Sequence, residues 1–251
     1  AIIASNNIAV KTHQYISGWL LVGTVLFLVL YSVRKKISMV PIGSSAVWLQ
    51  FHIYVGLLAT LLFFLHVEWS LPNGWIETTL YVLFLCICIS GVFGLYLNKS
   101  LPKRLTRRGE EVIFERIPVF VSQVRDEAEA LAIEAAGNTS SSSIPDFYIS
   151  NLASFFIGPC YFFNHLIQSD IHLIDLLEEL KDMERYLDEK EKAYARKLSQ
   201  LVKQKDYLDY HYALQFSLKV WLFIHVPISY GLLVFLALHI TFVYAFHSTI
   251  L

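Results

Sequence analysis

The chain has 251 residues, 55% of them hydrophobic and 16% charged, with a net charge of −1. So neutral a balance removes the electrostatic case for nucleic acid or a strongly charged partner. The charges are also segregated: nearly all lie between Lys99 and Asp209. The chain therefore reads as a polytopic membrane protein carrying one polar insert.

Four apolar segments are long enough to cross a bilayer, at residues 15–33, 46–67, 75–97 and 219–246. The first is too long for a secretory signal and lacks a small-residue cleavage site, so it is read as a true span. Trp48, Trp69, Trp75 and Trp221 fall near span ends, where interfacial anchors belong. Arg34, Lys35 and Lys36 follow the first span, and Lys99, Lys103, Arg104, Arg107 and Arg108 follow the third. Residues 68–74 and the tail after Phe246 hold no Lys or Arg. The positive-inside rule then puts both basic loops in the cytoplasm and both termini outside, with the second and fourth spans parallel. The expected fold is all-α: a four-helix membrane bundle with a helical cytoplasmic insert. Its parts are residues 1–98 (three spans), 99–217 (insert) and 218–251 (fourth span).

Within the insert, residues 119–136 have helical patterning that ends at Gly137, before a Ser-rich linker. Residues 144–167 are apolar and aromatic, interrupted by Gly158-Pro159, and suit either a membrane interface or a place under the bundle. From Asp170 a long charged helix is expected. Leu173, Leu180, Leu187, Tyr194, Leu201 and Leu208 give it one heptad stripe. Leu176 and Met183 begin a second stripe that Lys190 and Lys197 end. A coiled coil wants both stripes apolar, so packing on its own domain stands beside homo-oligomeric pairing through residues 173–208. No phosphate loop or dinucleotide fingerprint is present. Cys86, Cys88 and Cys160 read as packing residues, and the absence of Cys-x-x-Cys-His argues against covalent c-type haem.

The informative constellation is histidine. His52 and His66 lie 14 residues apart in the second span, and His225 and His239 lie 14 apart in the fourth. Fourteen residues is just under four turns, so each pair shares a face, its members roughly 21 Å apart along the axis. A hydrocarbon core is about 30 Å thick, so two adjacent parallel helices would offer facing imidazoles near each membrane edge. The expected pairs are His52 with His225 and His66 with His239. A tetrahedral zinc site needs more ligands than two imidazoles supply, whereas haem brings four nitrogens of its own and needs two axial ligands. The four histidines are therefore candidate ligands of two haem b groups. Interhelical hydrogen bonding, a proton path or another metal remain the alternatives.

Gly56, Ala59, Ser229 and Gly231 near the ligand faces, and Gly18, Gly23, Gly91 and Gly94 on the other spans, suit either haem clearance or close helix packing. Pro227 is expected to bend the fourth helix near His225. Arg34, Lys35, Lys36 and Lys219 on one side, with Lys11 and His13 on the other, are candidates to meet propionates. Glu68, Glu77 and His13 are candidates for quinone protonation. His211 extends the 14-residue interval in a polar setting, and a third haem there lacks an evident partner. His13, His165, His172 and His247 are expected at surfaces or interfaces.

The pattern His52-x13-His66 with His225-x13-His239, on the second and fourth of four spans, resembles the di-haem cytochrome b superfamily. It is similar to the haem-binding half of bc-type cytochrome b and to the membrane core of ferric reductases and NADPH oxidases. The resemblance covers the four spans, not the insert, and implies axial haem ligation by those four histidines. There are departures. The expected outward N-terminus is opposite to that of bc-type cytochrome b, and the Pro-Glu-Trp-Tyr motif is missing. No flavin and nicotinamide domain follows the last span, as it would in the reductases.

The resemblance implies an electron-transfer subunit of a larger redox complex in a membrane, expected to be a bacterial inner membrane. Quinone would be its partner on one side, and a c-type cytochrome or another redox subunit on the other, with lipid around it. A non-enzymatic docking anchor and a proton-coupled transporter are the other readings.

Overall fold

A computed structural model describes residues 2–36, 44–107, 112–139 and 141–247, with side chains at 13–31, 44–106, 112–139 and 141–246. The side chains of Lys11, Arg34, Lys35, Lys36, Arg107, Arg108 and His247, some of them candidates above, lie outside the described residues. Among the described residues every regular element is helical. The contacts divide the chain into two compact units, residues 1–97 with 220–251, and residues 98–219.

Four helices are long and apolar enough to cross a membrane. They are α1 (Ile2–Lys36), α2 (Ser45–Val67), α3 (Trp75–Arg107) and, after the shorter helices α4 to α8 of the insert, α9 (Glu189–His247). Ser44 caps α2, its hydroxyl accepting from the Val47 amide. The helix ends where Glu68 and Trp69 turn left-handed, at φ 48° and 58°, and Trp69 stacks on Phe64 one turn back. In the first unit Leu21, Val25, Ala59, Phe63, Phe84 and Leu232 form a small core drawn from all four long helices. Phe63 and Phe84 stack at 4.1 Å in its centre. Most other large apolar side chains there face outward, Leu61, Ile89 and Phe223 among them, as expected of helices whose solvent is lipid.

The second unit contains α4 (Ile117–Asn138), α5 (Ser143–Phe147), a π-helical turn (Tyr148–Leu152), α6 (Ala153–Ile157), α7 (Phe162–Ile167), α8 (Ile171–Glu184) and the charged first half of α9. The single long helix expected from Asp170 is not found: α8 and α9 are separate, divided at residues 185–188. One half of a capping box marks the new start. Glu191 reaches back to accept from the Asp188 amide at 2.9 Å, starting a new helix at Glu189. Beyond that point nothing interrupts the helix, and the charged segment and fourth span form one 59-residue rod that passes through Pro227.

The heptad stripe is spent inside this unit. Leu180, Leu187, Leu201 and Leu208 are buried in its core, with Leu173 and Tyr194 packed against it. His165, expected at a surface or interface, is instead buried at 3% exposure, near the Asp206 carboxylate at 3.9 Å. His172 stacks on Tyr161 at 4.0 Å, His13 is exposed, and His211 is fully buried among Tyr207 and Tyr210.

Candidate functional site

All four candidate histidines belong to the first unit, two on α2 and two on the last part of α9. Near one end, His66 and His239 line a common cleft of about 550 Å³, together with Gln14, Gly18, Tyr81 and Glu77. That volume lies within the range of about 300–1,000 Å³ usual for small-molecule and cofactor sites. His66 and His239 are close enough to repel each other if both were charged, and so are His52 and His225.

The second nitrogens identify how each ring is held. His66 Nδ1 lies 3.1 Å from the Gln14 carbonyl oxygen. A carbonyl only accepts, so Nδ1 carries the proton and Nε2 keeps its lone pair. Ser17 supports the arrangement, its hydroxyl donating to the same carbonyl and lying 3.3 Å from Nδ1. Gly18 gives the ring room: a Cβ there would meet His66 Cε1 at 3.0 Å.

At the other level His225 Nδ1 lies 3.0 Å from the Ser90 hydroxyl on α3. Trp221, one turn before His225, donates its indole N–H to the Ser90 carbonyl at 2.8 Å and stacks obliquely on the imidazole. Gly94 admits that indole, since any Cβ at this position would overlap it. His52 packs against Tyr31 at 5.0 Å. Its buried Nδ1 makes no hydrogen bond of normal geometry.

Sequence reasoning missed Gln14, Ser17, Ser90 and Tyr31. A backbone carbonyl leaves no mark in sequence, and Ser90 is visible only as a lone hydroxyl beside Gly91. Of the small residues, Gly18 and Gly94 are the tight ones, whereas Gly23, Gly91 and Gly231 have nothing within 4 Å of where a Cβ would lie. Lys219 donates to Glu115 at 2.7 Å. Glu77 lines the cleft and is the carboxylate within electrostatic reach of His239, while Glu68 accepts from Gln14 at 3.2 Å.

Among the described residues no group of three or more His, Cys, Asp or Glu side chains converges to hold a bare metal ion. Haem makes a smaller demand, two axial nitrogens per level, with the other ring nitrogen bonded to a carbonyl or hydroxyl. His66 and His225 meet that requirement, and the orphaned nitrogen of His52 marks a ring whose bonding is incomplete. On the bonding of the His66 and His225 rings, the residues present are compatible with the group. Compared with known proteins, the chain matches no family model, and no curated protein or solved structure is significantly similar to it.

Proposed function

We propose that the chain is a membrane di-haem b-type cytochrome, a four-helix bundle in which His52 with His225, and His66 with His239, each hold one haem b. What supports this reading is that α2 and α9 each carry two histidines 14 residues apart, that His66 and His239 line one cleft, and that Nδ1 of His66 is engaged so that Nε2 is available. Haem supplies the one-electron chemistry when bound. The protein's own residues do the rest. Gln14 and Ser17 set the tautomer and angle of His66, and Ser90 and Trp221 do the same for His225. Phe63, Phe84 and Leu232 fill the interior with apolar side chains and exclude water from it.

In this reading both termini face outward, the insert is cytoplasmic and the membrane is a bacterial inner membrane, on the distribution of Lys and Arg between loops. The chain is a subunit of a larger redox complex, exchanging electrons with quinone on one side and a c-type cytochrome or another redox subunit on the other.

The test is a reduced-minus-oxidised spectrum of purified protein with haem counted per chain. Two b haems that quinol reduces support the proposal. A colourless protein overturns it in favour of a proton-coupled transporter. A haem-replete protein inert to quinol removes quinone as the partner and leaves a relay fed by another subunit.

A further inference from the structure

The cleft lined by His66 and His239 is apolar at one end and polar at the other. Along α9, Leu232 lies seven residues before His239, roughly 10 Å of helix, and Tyr244 lies five residues after it. Along α1, Val25 lies seven residues beyond Gly18, the residue against the His66 ring, and Tyr15 lies three before it. Along α3, Glu77 in the first turn lies seven residues before Phe84. The apolar members of these three helices meet: Val25, Phe84 and Leu232 share one buried cluster. At the other end Tyr15 and Tyr244 hydrogen-bond hydroxyl to hydroxyl, joining α1 to α9. All of these residues belong to the first unit.

Such a cleft suits a guest with a broad apolar body and one anionic edge. Haem has that form, with two propionates on one side of the macrocycle. Carboxylates turned toward Val25, Phe84 and Leu232 would lose their water and find no partner, which is costly. At the other end a donor is at hand. In a bonded pair of hydroxyls one donates to the other, and the second keeps its proton for a further acceptor. Among the described residues that line the cleft there is no Lys or Arg, and the one carboxylate is Glu77.

We propose that the propionates of the haem at the His66/His239 level lie toward Tyr15 and Tyr244, whose hydroxyl pair donates to them, and that Glu77 opposes them. The anionic edge is then held by neutral hydroxyls against a like charge. This assignment rests on the di-haem reading above.

The test isolates one level in the full chain with His52→Ala, which on that reading leaves the His66/His239 haem in place. The purified protein is loaded with haem b or with its dimethyl ester, whose propionates carry no charge, and loss of each to excess apomyoglobin is followed by absorbance. Tyr15→Phe and Tyr244→Phe should each speed haem loss several-fold. Glu77→Gln should slow it by about twofold, a small change because the carboxylate is exposed. With the ester the Glu77→Gln effect should vanish and the two Tyr→Phe effects should shrink. Equal effects on haem and ester would overturn the proposal and leave all three side chains a packing role. Haem loss indifferent to the three substitutions would overturn it as well, while the di-haem reading stood. A chain that takes up no haem at this level would overturn that reading and this assignment together.

Discussion

The two units differ in where their polar groups lie. In residues 98–219 a buried ion pair braces the core: Lys205, with no exposed surface, donates to Asp209 and to the Gly158 carbonyl, both at 2.5 Å, while Asp209 Oδ1 has no hydrogen-bond partner. Asp209 in turn accepts from the Cys160 amide. That network ties the Gly158–Cys160 bend to α9 within a large apolar core. In the membrane-type unit the core is small, and His66 and His225 bond through Nδ1 to the Gln14 carbonyl and the Ser90 hydroxyl. His66 and His239 border open space. In one unit the buried polar groups brace a core, and in the other two imidazoles line a cleft.

The strongest way to break that contrast is histidine replacement in both units. His66→Ala and His239→Ala should each abolish the same b-haem signal, and His52→Ala and His225→Ala the other, halving the haem per chain while the helical circular dichroism stays unchanged. His165→Ala and His211→Ala, more deeply buried but in the second unit, should keep both haems and lower the melting temperature. Haem loss on changing His211, with His225 and His239 intact, would erase the distinction.

Next in size is the ion pair. Lys205→Met leaves Asp209 buried without its partner, and breaking such a pair typically costs about 3–5 kcal/mol. The double variant Lys205→Met/Asp209→Leu should recover most of that loss in thermal unfolding, since a well-packed apolar pair is often neutral.

The same carboxylate gives a pH signature. Burial pushes the Asp209 carboxyl up to about 6, with Asp206 adding to the rise, against the pull of Lys205 and the Cys160 amide. In the unfolded chain it titrates at about 3.9. Between those values the folded protein holds a proton that the unfolded chain lacks. This group's contribution is therefore complete below about pH 4 and is lost as pH rises through about 6, an effect of up to about 3 kcal/mol. Glu191 has the opposite sign. The Ser141 hydroxyl and Asp188 amide hold it below the usual carboxylate range, so its contribution fades as pH falls. Subtracting the stability profile of Asp209→Asn from that of the parent isolates the first effect; a flat difference between pH 4 and 7 would contradict it.

Much of the architecture was legible because membrane spans are written in composition alone. The four apolar segments anticipate the cores of α1, α2, α3 and α9, but not where these helices end. The 14-residue interval also carries directly into geometry, because helix periodicity is rigid and both pairs lie in uninterrupted helices. What was missed depends on partners distant in sequence. The Gln14 carbonyl reaches His66 across 52 positions, and Ser90 reaches His225 across 135. The separation of α8 from α9 was readable in principle, since Asp188-x-x-Glu191 is a capping signal. The leucine stripe on both sides masked it, continuing across the turn through Leu187. His165 looked interfacial because its neighbours are apolar, and only tertiary packing shows that α7 turns it inward.

The finest comparison lies within one helix. Gly91 and Gly94 are three residues apart on α3, and sequence gives no reason to treat them differently. A Cβ on Gly91 would meet nothing within 4 Å, whereas one on Gly94 would overlap the Trp221 indole. Gly91→Ala should therefore change stability by less than about 1 kcal/mol, in the direction set by the better helix propensity of alanine. Gly94→Ala must displace a rigid ring, and overpacking of this kind costs about 1–3 kcal/mol. The displaced indole also loses its bond to Ser90, the residue that orients His225. The proposal thus expects Gly94→Ala to shift the spectrum or potential of the His52/His225 haem and to leave the His66/His239 haem unaltered. If both haems moved together, Trp221 would be acting on the packing of all four helices and not on one ligand.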